Sequence, residues 1–321
     1  MIFYIARRLL WTVAVVVVVL AIVFIVFYLL PAGDPALRFA GKAPTPELLA
    51  EIRHRLGLDH AWYTQFGIFV KNFFTGDANG WPGLGTSFQN QVSVLSLIQD
   101  AAPRTLWLIA GAVVIWLLLG IPIGIISALR RRTLVDRLAM GFALFGISAP
   151  VFWLGQMALW LIWFEAGLTG GSGYVGITTS VSGFFSHMIL PWFVLALLYA
   201  AFYARMVRRN LLETLGEDYI RTARAKGLTE RRVIFRHGLR ASLTGVVTML
   251  GLDIALLVGG AVITESVFNL QGLGYLAIQS ALQQDLPTII GVTMLTAIAV
   301  AIANLVVDLV YAFLDPRIRY A

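Results

Sequence analysis

The sequence predicts an all-α polytopic membrane protein with six transmembrane helices and both termini in the cytoplasm. Of its 321 residues, 59% are hydrophobic and only 13% are charged. Several apolar stretches have the roughly 20 residues that a helix needs to cross a bilayer core of about 30 Å. Lys and Arg are concentrated in segments that would share one side of the membrane. A sizeable soluble domain is therefore excluded, except near the N-terminus.

The six predicted spans follow the apolar stretches in order. They are Leu9–Leu30, Thr105–Leu129, Leu138–Phe164, His187–Ala204, Thr244–Ile263 and Thr288–Leu314. We interpret the first as a retained signal anchor, because it is too long for the apolar region of a signal peptide and lacks a clear cleavage site.

The positive charges predict the orientation of these spans. The two short loops Glu165–Ser186 and Thr264–Pro287 contain no Lys or Arg, so we place them outside. The longer outside segment, from Pro31 to about Arg104, carries six basic residues, but long translocated segments largely escape the charge rule. The cytoplasmic side then has the remaining arginine groups: Arg7, Arg8, Arg130, Arg131, Arg132, Arg137, Arg317, Arg319 and those of the fourth-to-fifth loop. The net charge of +7 follows this sidedness and does not indicate nucleic-acid binding.

The outside segment has structure of its own. Thr45-Pro46-Glu47 predicts a helix start, and Gly57 predicts its end. An aromatic-rich run from Trp62 to Phe74 is typical of a membrane interface, and a glycine-rich loop follows at Asp77–Gly85. This segment either packs over the outer helix ends, which we favour, or binds a ligand.

Catalytic and metal-binding signatures are missing from the sequence. It has no Cys, and we find no Gly-Lys-Ser/Thr phosphate loop, HExxH or GxSxG motif. The four histidines lack the spacing of metal ligands; His187 and His237 are interpreted as polar residues at span or loop boundaries. We expect no catalytic residue, no metal site and no cofactor bound by this chain.

Polar and small residues within the spans are the candidates for a translocation path. A charge at membrane depth is costly and usually faces a watery cavity or the bundle interior. Asp253 therefore either lines a substrate path or pairs with a polar group on another helix. Glu265 is predicted to be an interfacial anchor or an outer-gate residue, and Gly259-Gly260 to allow close approach of two backbones.

Two further features of the spans have structural interpretations. Asn304 and Asp308 share one face of the sixth span, and Asp308 is placed to pair with a loop arginine. Pro122 lies in the Gly120–Gly124 stretch, which is expected to kink or loosen the second span. This stretch serves close helix packing or forms a flexible point in a gated path.

The most informative segment is the loop Arg205–Arg240, which holds ten of the 24 Lys and Arg residues and four acids, a local charge of +6. Apolar residues recur in it at helical spacing, which predicts short amphipathic helices broken near Gly227. A lipid-headgroup patch on a self-contained channel or carrier would need only the charge. The apolar periodicity favours a docking surface on a subunit of a larger transporter.

The motif DYIRTARAKGL (Asp218–Leu228) resembles the cytoplasmic loop of permease subunits of binding-protein-dependent ABC importers, in their dipeptide/oligopeptide/nickel branch. That loop has a Glu-Ala-Ala triplet, a glycine and an Ile-x-Leu-Pro sequence. Arg221-Thr222-Ala223, Gly227 and His237–Arg240 occupy these places here. Further matches in order are Leu56–Asp59, Gly76-Asp77, Gly83–Phe88 after an insertion at Ala78–Pro82, Ser148–Trp153, Glu265–Phe268, Gly272–Gly274, Asp285–Pro287, Asn304–Tyr311 and Asp315–Arg317.

The resemblance implies the type I ABC importer permease fold in a bacterial plasma (inner) membrane. It also implies a second homologous permease, two ATPase subunits that use ATP and Mg²⁺, and an extracytoplasmic peptide-binding protein as partners. The docking residues implied by the motif are Glu217, Asp218, Tyr219, Arg221, Thr222, Ala223, Arg224, Ala225, Lys226 and Gly227. Peptides are the expected substrates, with glutathione or a nickel chelate as alternatives.

We predict the following domain organisation from these features. An anchor helix occupies residues 1–30 and an extracytoplasmic segment residues 31–104. The five-helix core comprises residues 105–314 and includes the docking loop at 205–241. A cytoplasmic tail covers residues 315–321.

Overall fold

The computed structural model describes residues 2–29, 36–37, 45–56 and 59–314. Most of these residues are helical. The helices are α1 Ile2–Phe24, α2 Pro46–Leu56, α3 Trp62–Thr75, α4 Val94–Leu129, α5 Leu134–Ser148, α6 Val151–Ala158, α7 Val181–Leu215, α8 Asp218–Ala225, α9 Glu230–Ser242, α10 Thr244–Val258, α11 Val262–Val267, α12 Leu273–Gln283 and α13 Leu286–Leu314. Helices α1 and α6 continue as π-helical segments, Ile25–Leu29 and Leu159–Glu165, and α9 has a π-helical centre, Val233–Gly238.

Four helices of the described chain are long and apolar enough to cross a membrane, and two bent pairs bring the number to six if each pair is one span. The spans formed by one helix each are Ala6–Leu29, α4, α7 and Leu286–Val307. This agrees with the predicted number of spans. Helices α4 and α7, at 36 and 35 residues, extend well past the predicted bounds because both continue beyond the apolar stretch.

The third predicted span, Leu138–Phe164, is not a single helix. Helices α5 and α6 meet at an angle of 101°. Ala149 is extended, with ψ 127°, as expected for a residue that precedes proline. Pro150 therefore ends one helix and begins the next, and the third span is a bent pair.

The fifth predicted span, Thr244–Ile263, is also corrected. Helix α10 ends at Val258 because Gly260 adopts φ +108°, which a right-handed helix does not allow. Toward the cytoplasm the span is bent by 41° from α9, so the docking loop leads directly into it.

The chain forms two compact units. The first unit is Met1–Thr105, Ala255–Val262 and Gln271–Ala321. Its core joins the first and last spans to the outside helices α2 and α3, through Leu20, Phe24, Ile52, Phe73 and Met294. The outside segment therefore packs on the spans, as favoured above. The predicted N-cap is confirmed, since Leu48 N–H donates to Thr45 Oγ1 at 3.2 Å.

A buried carboxylate fixes the loop Gly83–Phe88 within this first unit. Asp285 precedes α13 and is only 1% exposed. It accepts hydrogen bonds from Ser87 Oγ at 2.5 Å, Phe88 N–H at 3.1 Å and Thr288 Oγ1 at 2.7 Å. Three donors satisfy a group that would otherwise be costly to bury.

The second unit is Leu106–Ile254 and Ile263–Leu270, and α7 is its central helix. Helices α5, α6 and α9 pack against α7. Small residues allow close approach along it: a Cβ on Gly120 would lie 2.9 Å from Ala200 O, and one on Gly124 2.6 Å from Ala204 O. Buried Trp192 donates to Trp107 O at 2.9 Å, which joins α7 to α4.

Some sequence predictions fall outside the described residues. They are the helix end at Gly57, the basic residues Arg317 and Arg319, the motif Asp315–Arg317 and the side chain of Asp308.

Candidate functional site

Helix α8 is the centre of the predicted docking loop. It begins with Glu217 at the N-cap position and Asp218 in the first turn, where negative charge favours a helix. Ile220 and Ala223, one turn apart, are buried against Val233. This small apolar cluster holds α8 onto α9 and confirms the predicted amphipathic pattern.

The opposite face of α8 is exposed and carries most of the residues implied in docking. These are Glu217, Asp218, Tyr219, Arg221, Thr222, Arg224, Ala225, Lys226 and Gly227. Ala223 is the exception, because it is only 7% exposed and faces the chain's own apolar cluster. Ala223 packs on Ile220 and Val233 within this chain, so its burial does not support a docking contact, which stays a prediction.

Gly227 ends α8, as predicted from the sequence. Its φ is +74°, in the left-handed region that favours glycine. A Cβ there would meet no atom within 4 Å. The requirement for glycine is therefore conformational and leaves the surface beside it open.

The charges on the exposed face are partly paired. Arg221 contacts Asp218 at 3.3 Å, and Arg224 contacts Glu230 at 2.7 Å. The hydrogen bond to Glu230 raises the pKa of Arg224 above its ordinary value. All four side chains are well exposed, so such pairs add little stability and are free to exchange for contacts with a partner.

A cationic cleft of about 430 Å³ adjoins α8. Its lining residues are Tyr219, Arg236, His237, Arg240, Ala241 and Thr244. Within the described part of the chain, no ion pair involves its three basic residues. Partial burial, with the nearby Glu217 carboxylate, raises the pKa of Tyr219, so its hydroxyl stays protonated as a donor at the cleft edge.

The loop is tied to the fourth span by close contacts. A Cβ on Gly238 would lie 3.2 Å from the Leu215 side chain, so α9 approaches α7 closely at this point. Asn210 of α7 donates to Ser242 O at 3.2 Å. Helix α8 is therefore connected through α9 to α7, and α9 leads into α10.

A buried ion pair near the cytoplasmic end of the bundle was missed by the sequence analysis. Asp136, 5% exposed, accepts two hydrogen bonds from Arg208, from Nε at 2.8 Å and Nη2 at 2.9 Å. Ser127 Oγ and Arg132 N–H also donate to it, at 2.5 Å and 2.9 Å. The N-cap at Thr133, with Asp136 three residues later, is a sequence signal that could have identified this helix start.

Asp253 is paired within the chain. Its carboxylate accepts a hydrogen bond from Tyr203 Oη at 2.7 Å, which joins the fifth span to the fourth. Tyr199 lies one helical turn from Tyr203, and its ring stacks on Trp116 with centroids 4.5 Å apart. The polar pairing predicted as one interpretation of Asp253 is present, and a role in lining a substrate path stays a prediction.

The other path candidates have different environments. The stretch around Pro122 stays helical within α4; the two glycines that flank it pack closely on α7, and Pro122 is exposed. At Gly260, a Cβ would lie 2.8 Å from Gly274 Cα, so the predicted close approach is confirmed there, whereas Gly259 meets only its own helix. Glu265 is 0% exposed, which contradicts an interfacial anchor.

Comparison with known proteins places these features in one family. Residues 120–320 match the model of the "binding-protein-dependent transport system inner membrane component" family, and residues 1–109 match its N-terminal counterpart. The dipeptide transport permease DppB of Alkalihalophilus pseudofirmus is 33% identical over all of both chains. The glutathione transport permease GsiC of Escherichia coli is 37% identical over 99% of both.

A solved transporter structure has the same fold as this chain. An inward-facing structure of the MetNI methionine ABC transporter covers 69% of this chain and 98% of its own, with a TM-score of 0.55 and 20% identity. The long apolar helices and the loop between the fourth and fifth spans thus belong to the type I ABC importer permease fold. The chain is a multi-pass inner-membrane protein and belongs to the family of binding-protein-dependent ABC transport permeases.

Proposed function

We propose that the chain forms half of the translocation pathway of an ATP-driven peptide importer and is itself non-catalytic. A second homologous permease forms the other half. Two ATPase subunits use ATP and Mg²⁺, and each contacts one permease. An extracytoplasmic binding protein delivers the peptide to the outer face.

The observation that carries this proposal is the two-sided construction of α8. One face is held to α9 by Ile220 and Ala223, and the other presents Tyr219, Arg221 and Thr222 to solvent. A short helix that is fixed on one side and exposed on the other is suited to lie in a groove of a partner. A headgroup patch would need no such packing.

The relatives support peptides as the substrate class. DppB and GsiC are described as permeases for dipeptides and for glutathione, and glutathione is itself a small peptide. Both align with this chain over nearly its whole length. A small peptide is thus the solute class that both relatives have in common.

The contacts of the loop supply a mechanism. ATP binding closes the ATPase dimer and displaces α8. Because α8 packs on α9 and α9 is joined to α7 through Gly238 and the Asn210–Ser242 hydrogen bond, the displacement reaches the fourth span. The 41° junction between α9 and α10 conveys it to the fifth span, and the pathway opens outward.

The docking role is tested by crosslinking from a single introduced cysteine, since the chain has none of its own. Thr222→Cys places a thiol on the exposed face of α8. After labelling with benzophenone maleimide in membranes that contain the complete transporter, irradiation is expected to join this chain to an ATPase subunit.

The matched control is Thr179→Cys, an exposed residue in the loop between the third and fourth spans, on the predicted opposite side. It is expected to give no ATPase adduct. An ATPase that co-purifies but never crosslinks at Thr222, or that crosslinks equally at Thr179, would contradict the docking role.

A further inference from the structure

The geometry points to Asp253, held in place by Tyr203, as a recognition point for the ammonium group of a passing peptide, which makes the pathway favour cationic over anionic peptides. This inference rests on the proposed function, since it requires a peptide to pass the fifth span. The ammonium group is supplied by a lysine side chain or by the α-amino group.

The first step of the argument is the charge of Asp253. It lies in α10, which contains no Lys, Arg or His. Among residues 2–29, 36–37, 45–56 and 59–314, no ion pair to Asp253 is found, and Tyr203 is its hydrogen-bond donor. A carboxylate has room for about four donors, so most of its capacity is available to another group.

The second step is the face of α10 on which Asp253 lies. Asp253 is partly exposed, and its neighbours Leu252 and Leu256 are 44% and 70% exposed. A carboxylate facing lipid at membrane depth is costly. This face is therefore expected to border a water-containing path or a partner subunit, which is where a solute would pass.

The third step is the aromatic set beside the carboxylate. Tyr199 and Tyr203 lie on one face of α7, and Trp116 lies against both, with ring centroids 4.5 Å and 6.0 Å away. Trp116 and Tyr203 are fully buried, so these rings hold the carboxylate from behind, and the partly exposed Asp253 is the group that an ammonium ion can reach.

A purely structural Tyr203–Asp253 bond is the alternative, and two variants separate it from ammonium recognition. Asp253→Asn removes the charge and keeps an oxygen that accepts from Tyr203. Tyr203→Phe removes that hydrogen bond and keeps the charge. A structural role predicts that Tyr203→Phe lowers the uptake of all peptides, that Asp253→Asn changes it much less, and that neither variant alters the ratio between cationic and anionic peptides.

The test uses the complete transporter in proteoliposomes with saturating loaded binding protein. Uptake and ATP hydrolysis are measured for Ala-Lys-Ala, Ala-Ala-Ala and Ala-Glu-Ala. We expect the uptake ratio of Ala-Lys-Ala to Ala-Glu-Ala to exceed one in the wild type and to fall about tenfold in Asp253→Asn, as for the loss of one close charge pair. Tyr203→Phe and Asp253→Glu should retain most of the preference.

A ratio that is unchanged in Asp253→Asn, or that falls equally in Tyr203→Phe, would overturn the inference while leaving the importer role intact. If the wild-type transporter takes up none of the three peptides with ATP, the proposed function fails, and the inference fails with it.

Discussion

Single carboxylates join neighbouring helices in this chain, and they differ in how many donors they receive. Asp136 accepts hydrogen bonds from Arg208, Ser127 and the Arg132 backbone N–H, so its carboxylate is paired within the bundle. Asp253 accepts a hydrogen bond from the Tyr203 hydroxyl. Because of this difference, we assign Asp136 to stabilising the fold and propose Asp253 as the residue that meets a solute.

Replacing Asp136 by alanine is expected to destabilise the chain. The change leaves the partly buried Arg208 without its bidentate partner, and breaking a buried pair costs about 3 kcal/mol or more. Thermal unfolding in detergent should show a marked fall in midpoint. Asp218→Ala is the control, because its pair with Arg221 is exposed and should contribute less than about 1 kcal/mol. Equal effects of the two variants would contradict this assignment.

Gly227 provides a test of coupling at the residue scale. Gly227→Val places a β-branched residue at φ +74°, where it is strained. The end of α8 should shift, and ATP hydrolysis should continue with little peptide uptake. Gly227→Asn is the matched control, since asparagine tolerates this conformation. Normal uptake per ATP in the valine variant would argue against a coupling role for this turn.

At the scale of elements, much of the fold could be predicted from local sequence. The apolar stretches gave the approximate positions of the spans, and Thr45, Gly227 and the periodicity of the docking loop correctly predicted a helix start, a helix end and α8. These features depend on neighbours in the sequence. The break at Ala149-Pro150 was missed, because a proline in a span is tolerated wherever adjacent helices satisfy the backbone.

The candidate site was less predictable, for a physical reason. The role of Ala223 depends on which face of α8 meets Val233, and the partner of Asp253 lies 50 residues away on another helix. Burial of Glu265 likewise depends on packing rather than on its place after the span. Tertiary contacts decide each of these, and periodicity alone does not contain them.

Two adjacent residues of α8 should respond differently to enlargement. Thr222→Trp changes the exposed face, so the ATPase should be lost from the purified transporter while the thermal midpoint of this chain is kept. Ala223→Leu overfills the cluster beneath the helix and should destabilise it by about 1–3 kcal/mol. Co-purification and thermal unfolding measure the two effects. The reverse pattern would mean that the helix faces have been assigned the wrong way round.

At the scale of the whole molecule, the charge distribution predicts which loops share a side of the membrane. In sealed right-side-out vesicles, Thr179→Cys should react with a membrane-impermeant maleimide, and Thr222→Cys should react only after permeabilisation. Both residues are exposed in the structure, so protection reports sidedness rather than burial. Labelling of Thr222→Cys in sealed vesicles would reverse the topology.

The sequence of a single chain says little about which other subunits assemble with it. We propose the exposed face of α8, the cationic cleft beside it and the uncovered face of α10 as surfaces for other subunits, and the identity of those subunits depends on sequences outside this chain. Family membership makes an ATP-driven importer the consistent interpretation of all three surfaces.

The most direct test of this account is purification of the tagged chain in mild detergent, followed by mass spectrometry of the proteins that accompany it. The account predicts a second six-span permease and ATPase subunits with phosphate-binding loops. A chain that purifies alone and moves solute into liposomes without ATP would contradict it.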